Sequence, residues 1–220
     1  LHIRKYCEGD RETVRRICCE TGFLGNPIDT IYTDTELFAD LFTDPYLEYE
    51  PGWALVAEVD GQVVGYLLGS ANTHFSLTLM CCGLNTLTRM IFRLVTGRYN
   101  DHPRSKQFVR WVVAKGLKEQ PKHPGNAAHL HFNLKKGFRG KMIAKQLWLT
   151  YEEMVKSASI SRYYGKFFSY GRHRPELVYP RYGFKIFDRC ETTMYQPEIQ
   201  DAVHVVCVFK SLTTPELDAR

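Results

Sequence analysis

The segment that most constrains the fold runs from Ala128 to Ser157: a run of strand length, a basic turn with two glycines, then an amphipathic helix. Ala128 to Leu134 reads as a strand. Lys135-Lys136-Gly137-Phe138-Arg139-Gly140 forms the turn, and from Lys141 to about Ser157 the residues Ile143, Leu147, Tyr151, Met154 and Ala158 make an apolar stripe at helical spacing. Free N–H groups and the helix dipole converge where such a helix begins, so the turn is an anion site on physical grounds. Lys135, Lys136, Arg139 and Lys141 add positive charge there, and Gly137 and Gly140 ease the approach of a ligand to the backbone. A solvated basic helix start with no ligand remains the plainer alternative at this level.

The rest of the chain supplies a mixed sheet. His2 to Tyr6 reads as a strand, followed by a helix capped by Asp10, carrying Val14, Ile17, Cys18 and Thr21 on one face and ended at Gly22. From Phe23 to Gly52 the chain reads as a wandering connection with one helix around Glu36 to Phe42. Trp53 to Val59 and Gln62 to Leu68 flank Asp60-Gly61, a two-residue hairpin signal because both residues tolerate positive φ. Residues 69–128 read as an insertion between the third and fourth strands, with a helical pattern through Leu84 to Leu94. Beyond the Ala128–Ser157 unit come a strand at Ile160 to Tyr170, a short helix near Pro175 to Tyr182, and strands at Phe184 to Arg189 and Ala202 to Phe209. A hairpin joined to a strand-helix-strand unit points to an α/β fold: a mixed, largely antiparallel central sheet with helices on both faces.

Length and composition narrow the classes. At 220 residues the chain has room for one full core, so residues 1–220 are expected to form a single domain. Its 29 Lys and Arg against 24 Asp and Glu give +5, which suits a polyanionic ligand but falls short of a nucleic-acid-binding excess. Seven cysteines in no zinc or C-x-x-C spacing, and no signal-like segment, fit reduced thiols and a cytoplasmic setting. No metal site is expected. Phe75 to Val95 carries Asn85, Arg89 and Arg93, too polar for a membrane span.

Read together, His129 to Leu147 resembles the acetyl-CoA motif of the GNAT acetyltransferases: Gln or Arg, two residues, Gly, one residue, then Gly or Ala. Arg139 matches the first position and Ala144 the last, while Met142 stands where the middle Gly is usual. That departure is compatible with the motif if residue 142 already has helical φ and ψ. Val178-Tyr179-Pro180-Arg181-Tyr182-Gly183-Phe184 is similar to the family's Phe-Tyr-x-x-x-Gly-Phe signature, and Arg172 stands where an Asn is frequent. The resemblance implies acetyl-CoA as cofactor, held by Asn133, Leu134, Arg139, Gly140, Lys141, Met142, Ile143 and Ala144. It also implies an acyltransferase acting on a primary amine of a small molecule or peptide, with no nucleic-acid or membrane partner, and it admits a homodimer.

Acetyl transfer from a thioester to an amine needs a neutral amine, donors for the oxyanion and a proton for the leaving thiolate. In the resemblance, Tyr179 takes the place of the Tyr that protonates the thiolate; the alternative is a Tyr that packs the short helix on the sheet. His129 and His131, at i and i+2, project from one face and offer a base near neutral pH. Leu134 has odd separation from both, so an unbulged strand turns them to the opposite face, and His131 is otherwise a satisfied structural histidine. Glu58 is a second base candidate. Oxyanion donors are expected on the backbone near Asn133 and Leu134. Tyr32, Tyr46, Tyr49 and Trp53 are candidates for an acceptor wall, with Glu48 and Glu50 to attract the amine, although surface loop residues are the favoured reading for each. The competing function is a non-catalytic acyl-CoA-binding or sensing module on the same fold.

Overall fold

The computed structural model describes residues 1–72, 75–140 and 142–212, apart from the side chains of 75–77. Seven strands form one sheet in the order β1-β2-β3-β4-β5-β7-β6: β1 His2–Lys5, β2 Ala54–Val59, β3 Gln62–Ser70, β4 Ala128–Leu134, β5 Arg162–Tyr170, β6 Lys185–Thr192 and β7 Val203–Ser211. Every pairing is antiparallel except β4 with β5. The helices are α1 Arg11–Thr21, α2 Thr35–Tyr49, α3 Phe75–Val95, α4 Pro103–Lys115 and α5 Ile143–Ser157.

Alternation along the strands sorts side chains onto the two faces of the sheet. Ala54, Val56, Tyr66 and Leu68 pack with Val14, Ile17, Leu37, Met90 and Phe108 from α1 to α4. Leu55, Ala57 and Leu67 pack with Ile143, Leu147, Tyr151 and Val155 of α5 on the other face. Asp60 (φ 51°) and Gly61 (φ 76°) turn the β2-β3 hairpin in the left-handed region, as their sequence requires.

Two expectations change. Asp10 does not cap α1 with its side chain: the Arg4 guanidinium holds its carboxylate at 2.7 and 2.8 Å, and this pulls the carboxyl down to about 2. The helix expected at Glu36 to Phe42 extends to Tyr49 straight through Pro45. Proline removes one helical bond, and tertiary ties from Asp44 to Arg11 and Arg15 of α1 hold the segment across that gap. Residues 69–128 contain the end of β3 and two helices, and α3 is docked on α2 by Arg89 to Asp40 and Arg93 to Asp34. Among the described residues no helix is long and apolar enough to cross a membrane.

Candidate active site at a fork in the sheet

β4 and β5 are paired over three residues only, Ala128, His129 and Leu130 opposite Tyr163, Tyr164 and Gly165. Beyond that point β4 continues on β3 and β5 continues on β7, so the parallel pair opens into a fork. Main-chain groups in an antiparallel ladder face the partner and away in alternation. Lys135 N–H donates to Val64 O at 2.9 Å, so Leu134 and Phe132 turn their N–H and C=O groups away from β3, into the fork. Arg139 Nε donates to Leu134 O at 3.2 Å from that side. Leu134 thus sits where the sequence placed a backbone contact, whereas Asn133 directs its main chain to β3 and Phe132 takes its place at the edge. No sequence pattern gives this parity; only the ladder register does.

The basic turn lies at the open end. Met142 is the N-cap of α5 without a side-chain cap bond, and Gln146 N–H donates to Met142 O at 3.1 Å. Among the described residues the N–H groups of Ile143, Ala144 and Lys145 have no helical partner. Gly140 has φ 76°, with open space where a Cβ would stand. Met142 has φ 63°. The condition of helical φ and ψ at residue 142 is not met, and a residue with a side chain is held in the left-handed region that glycine occupies at less cost. Lys141 lies outside the described residues. The Arg139 guanidinium also donates to Gly25 O at 2.8 Å. It fits there because Gly25 has no Cβ, which would stand 2.6 Å from Nη1.

Tyr179 stands on the α5 side. Its ring packs against Phe167 (4.9 Å), Phe184 (5.6 Å) and Trp148 (6.5 Å), and its hydroxyl has no hydrogen bond among the described residues. Burial raises this phenol to about 12. The short helix expected around it is two 3-10 turns, Pro175–Leu177 and Tyr179–Tyr182, because Pro175 and Pro180 cannot donate helical bonds.

His129 and His131 project to the opposite face, towards α2, from a strand without a bulge. His129 Nδ1 is 2.9 Å from Tyr46 Oη, and its ring is 4.7 Å from Tyr164. His131 Nε2 is 3.2 Å from Tyr66 Oη, which accepts from Asn133 Nδ2 at 2.9 Å. Burial holds His131 down to about 4 and His129 well below its ordinary value, so both rings are neutral at neutral pH. Tyr46 and Tyr66 are the contacts that sequence reading did not assign to the histidines.

The remaining candidates stand elsewhere. Glu58 is bound to Arg4 Nε at 2.9 Å, in the ion-pair cluster with Asp10, and is not brought to the fork. Tyr32 is fully buried, with its hydroxyl on Tyr99 at 2.9 Å. Tyr49 is exposed, Trp53 packs edge-on against Tyr151, and Glu48 pairs with Arg11. Burial raises Glu50 above its ordinary value. The four-residue aromatic wall does not form; of its members only Tyr46 reaches the histidines, because α2 continues past Pro45.

A mostly antiparallel seven-stranded sheet whose parallel pair opens beside the start of α5 is the GNAT fold. The chain is similar to the crystal structure of SsHAT at 25% identity and a TM-score of 0.63, over 97% of this chain and 98% of that one. It is also similar to a GNAT superfamily phosphinothricin acetyltransferase from Sinorhizobium meliloti in complex with AcCoA (14% identity, TM-score 0.57, 99% and 94% covered). Ard1 from Thermoplasma volcanium matches at 15% identity with a TM-score of 0.54, over 97% and 98% of the two chains. At the two lower identities the likeness concerns the fold alone. No protein-family model and no curated protein sequence matches the chain.

Proposed function

We propose that the chain moves an acetyl group from acetyl-CoA to a primary amine of a small molecule or peptide by direct attack. The observation that carries this reading is the fork, with main-chain groups of Phe132 and Leu134 at its edge, Tyr179 on one face and a neutral histidine pair on the other. The residues present fit the cofactor. The N–H groups of Ile143, Ala144 and Lys145, without a helical partner among the described residues, and the open backbone at Gly140 suit a pyrophosphate, with Lys135 and Lys136 adding charge. The fork edge suits the amides of a pantetheine arm. When bound, acetyl-CoA supplies the activated acetyl thioester.

The chain's own groups then divide the work. Main-chain N–H donors at the fork edge stabilise negative charge on the carbonyl oxygen. Tyr179 Oη holds its proton through the neutral range and donates to the departing sulfur. A phenol at about 12 against a thiol near 8.5 leaves full transfer uphill, so the hydroxyl acts first as a hydrogen-bond donor and solvent completes the protonation. His131 and His129 present uncharged nitrogens to the amine from the other face. No bulge is needed, because side chains on either face of a strand flank a ligand that lies along its edge.

Two measurements test the reading. Acetyl-CoA at about 100 times its Kd should stabilise the chain against thermal unfolding by roughly 2.7 kcal/mol, and a panel of amines should release free thiol. Stabilisation without thiol release from any amine supports the second reading, a non-catalytic acyl-CoA-binding module, which draws on the left-handed Met142 and the lack of a polar partner for Tyr179 among the described residues. Neither effect means that both readings fail.

A further inference from the structure

Pairing of β4 with β5 ends at Leu130 opposite Gly165, and the next residues on the two strands are His131 and Lys166. One step before the opening, His129 and Tyr164 are direct partners whose rings touch, so their side chains share a face. Residues two apart on a strand project to the same side. His131 and Lys166 therefore stand at the two lips of the fork, on the α2 face, where the amine must arrive.

Lys166 is a half-buried cation. Its polar contact is the amide oxygen of Gln120, Oε1, at 3.3 Å, and among the described residues no carboxylate lies within ion-pair distance. Nearby acids are engaged elsewhere. Glu119 accepts from Thr193 and Trp111. Asp188 lies in the same cross-strand row beyond Cys207 and accepts the N–H groups of Lys122 and Arg189. Asp40 and Asp44 are held by Arg15, Arg11 and Arg89. The other groups at the lips, His129, His131, Tyr46 and Tyr164, are uncharged, and burial pulls the Lys166 ammonium below the ordinary lysine range. A desolvated charge calls for an anion. A bare monoamine, cationic in water, meets like charge here, whereas an amine with its own carboxylate brings the missing partner.

We propose that Lys166 anchors a carboxylate of the acceptor, so the substrate class is small amino acids rather than simple amines or polyamines. This rests on the acetyl-transfer reading above. The carboxylate accepts a charge-assisted hydrogen bond from Nζ, a geometry that fixes which end of the molecule enters the fork. It also offsets the field of Lys166 at the amine.

The test follows thiol release from acetyl-CoA with matched pairs: tyrosine and tyramine, histidine and histamine, phenylalanine and phenethylamine, β-alanine and ethylamine. The expected result is a preference in kcat/KM of roughly tenfold or more for the carboxylated member of at least one pair. Lys166→Gln should bring that ratio close to one through KM, and Lys166→Arg should restore most of it. No carboxylate preference in any pair, a preference untouched by Lys166→Gln, or an acetyl group found on Lys166 itself overturns the proposal. Equilibrium binding of N-acetyltyrosine and N-acetyltyramine with coenzyme A present gives a readout without turnover. Tighter binding of the carboxylated compound, lost in Lys166→Gln, without thiol release from any amine, keeps the anion site and removes acetyl transfer. Equal binding of the two compounds overturns the anion site whether or not thiol is released.

Discussion

The two faces of the fork are built in different ways. On the α5 face, the turn, the helix start and the apolar bed under Tyr179 come mostly from one continuous stretch, 134–157, joined by the Tyr179–Phe184 segment. On the α2 face, Tyr46, Tyr66, His131 and Lys166 come from four separate elements and meet only when the sheet has formed. A locally encoded face presents backbone donors and positive charge. An assembled face presents buried rings and the Lys166 ammonium, and its chemistry depends on long-range register.

The largest expected effect separates the faces by function. Tyr179→Phe removes a single hydroxyl from the α5 side and should lower kcat by about 100-fold, the low end for a positioned proton donor, while acetyl-CoA binding stays within about twofold. Unchanged turnover would mean that Tyr179 only packs against Trp148 and Phe184, and the α5 face would then serve binding alone.

Acid should strike the α2 face first. His131 is held at about 4 when folded, against about 6.5 in the unfolded chain. The unfolded state binds the proton first, so this stability is fully present above pH 6.5 and is lost as pH falls towards 4. Between pH 7 and pH 5 the loss is about 2 kcal/mol from this group, readable as a lower urea midpoint. His131→Phe should flatten that slope. A midpoint that does not move with pH in the parent chain would show that His131 is not desolvated. The same neutrality means that kcat/KM should show no histidine break near pH 6.5 and should rise with the fraction of neutral amine.

The smallest effect sits in the turn. Met142→Gly relieves a left-handed backbone and should stabilise the chain by about 1 kcal/mol, raising Tm by roughly 2–4 °C and tightening acetyl-CoA binding. A lower Tm would mean that Met142 is held by contacts worth more than its strain.

The same contrast explains what could be read from sequence. The β2-β3 hairpin, β4 and the body of α5 follow from turn chemistry and periodicity within short windows, and they stand as expected. Pro45 masked the second half of α2, because proline argues for a helix end unless distant arginines hold the segment. With that half hidden, Tyr46 reads as a loop residue instead of the partner of His129. Lys166 carries no signal in its own stretch: it matters because Gly165 is the last residue paired with β4, a fact of register. Met142 shows a further limit. Its sequence position flagged a departure, but the left-handed backbone at the start of α5 is not something that helix propensity reports.

The fork has a consequence for how the molecule breathes. Along β4, His131 and Asn133 have their amides locked into β3, while the amides of Phe132 and Leu134 face the gap. Protection from hydrogen exchange should therefore alternate residue by residue within one central strand, a pattern otherwise met at the margins of a sheet. A sheet that opens in its middle carries an edge in its interior, and the fastest-exchanging amides of β4 mark the line along which a bound molecule would be stitched into the structure as though it were a strand.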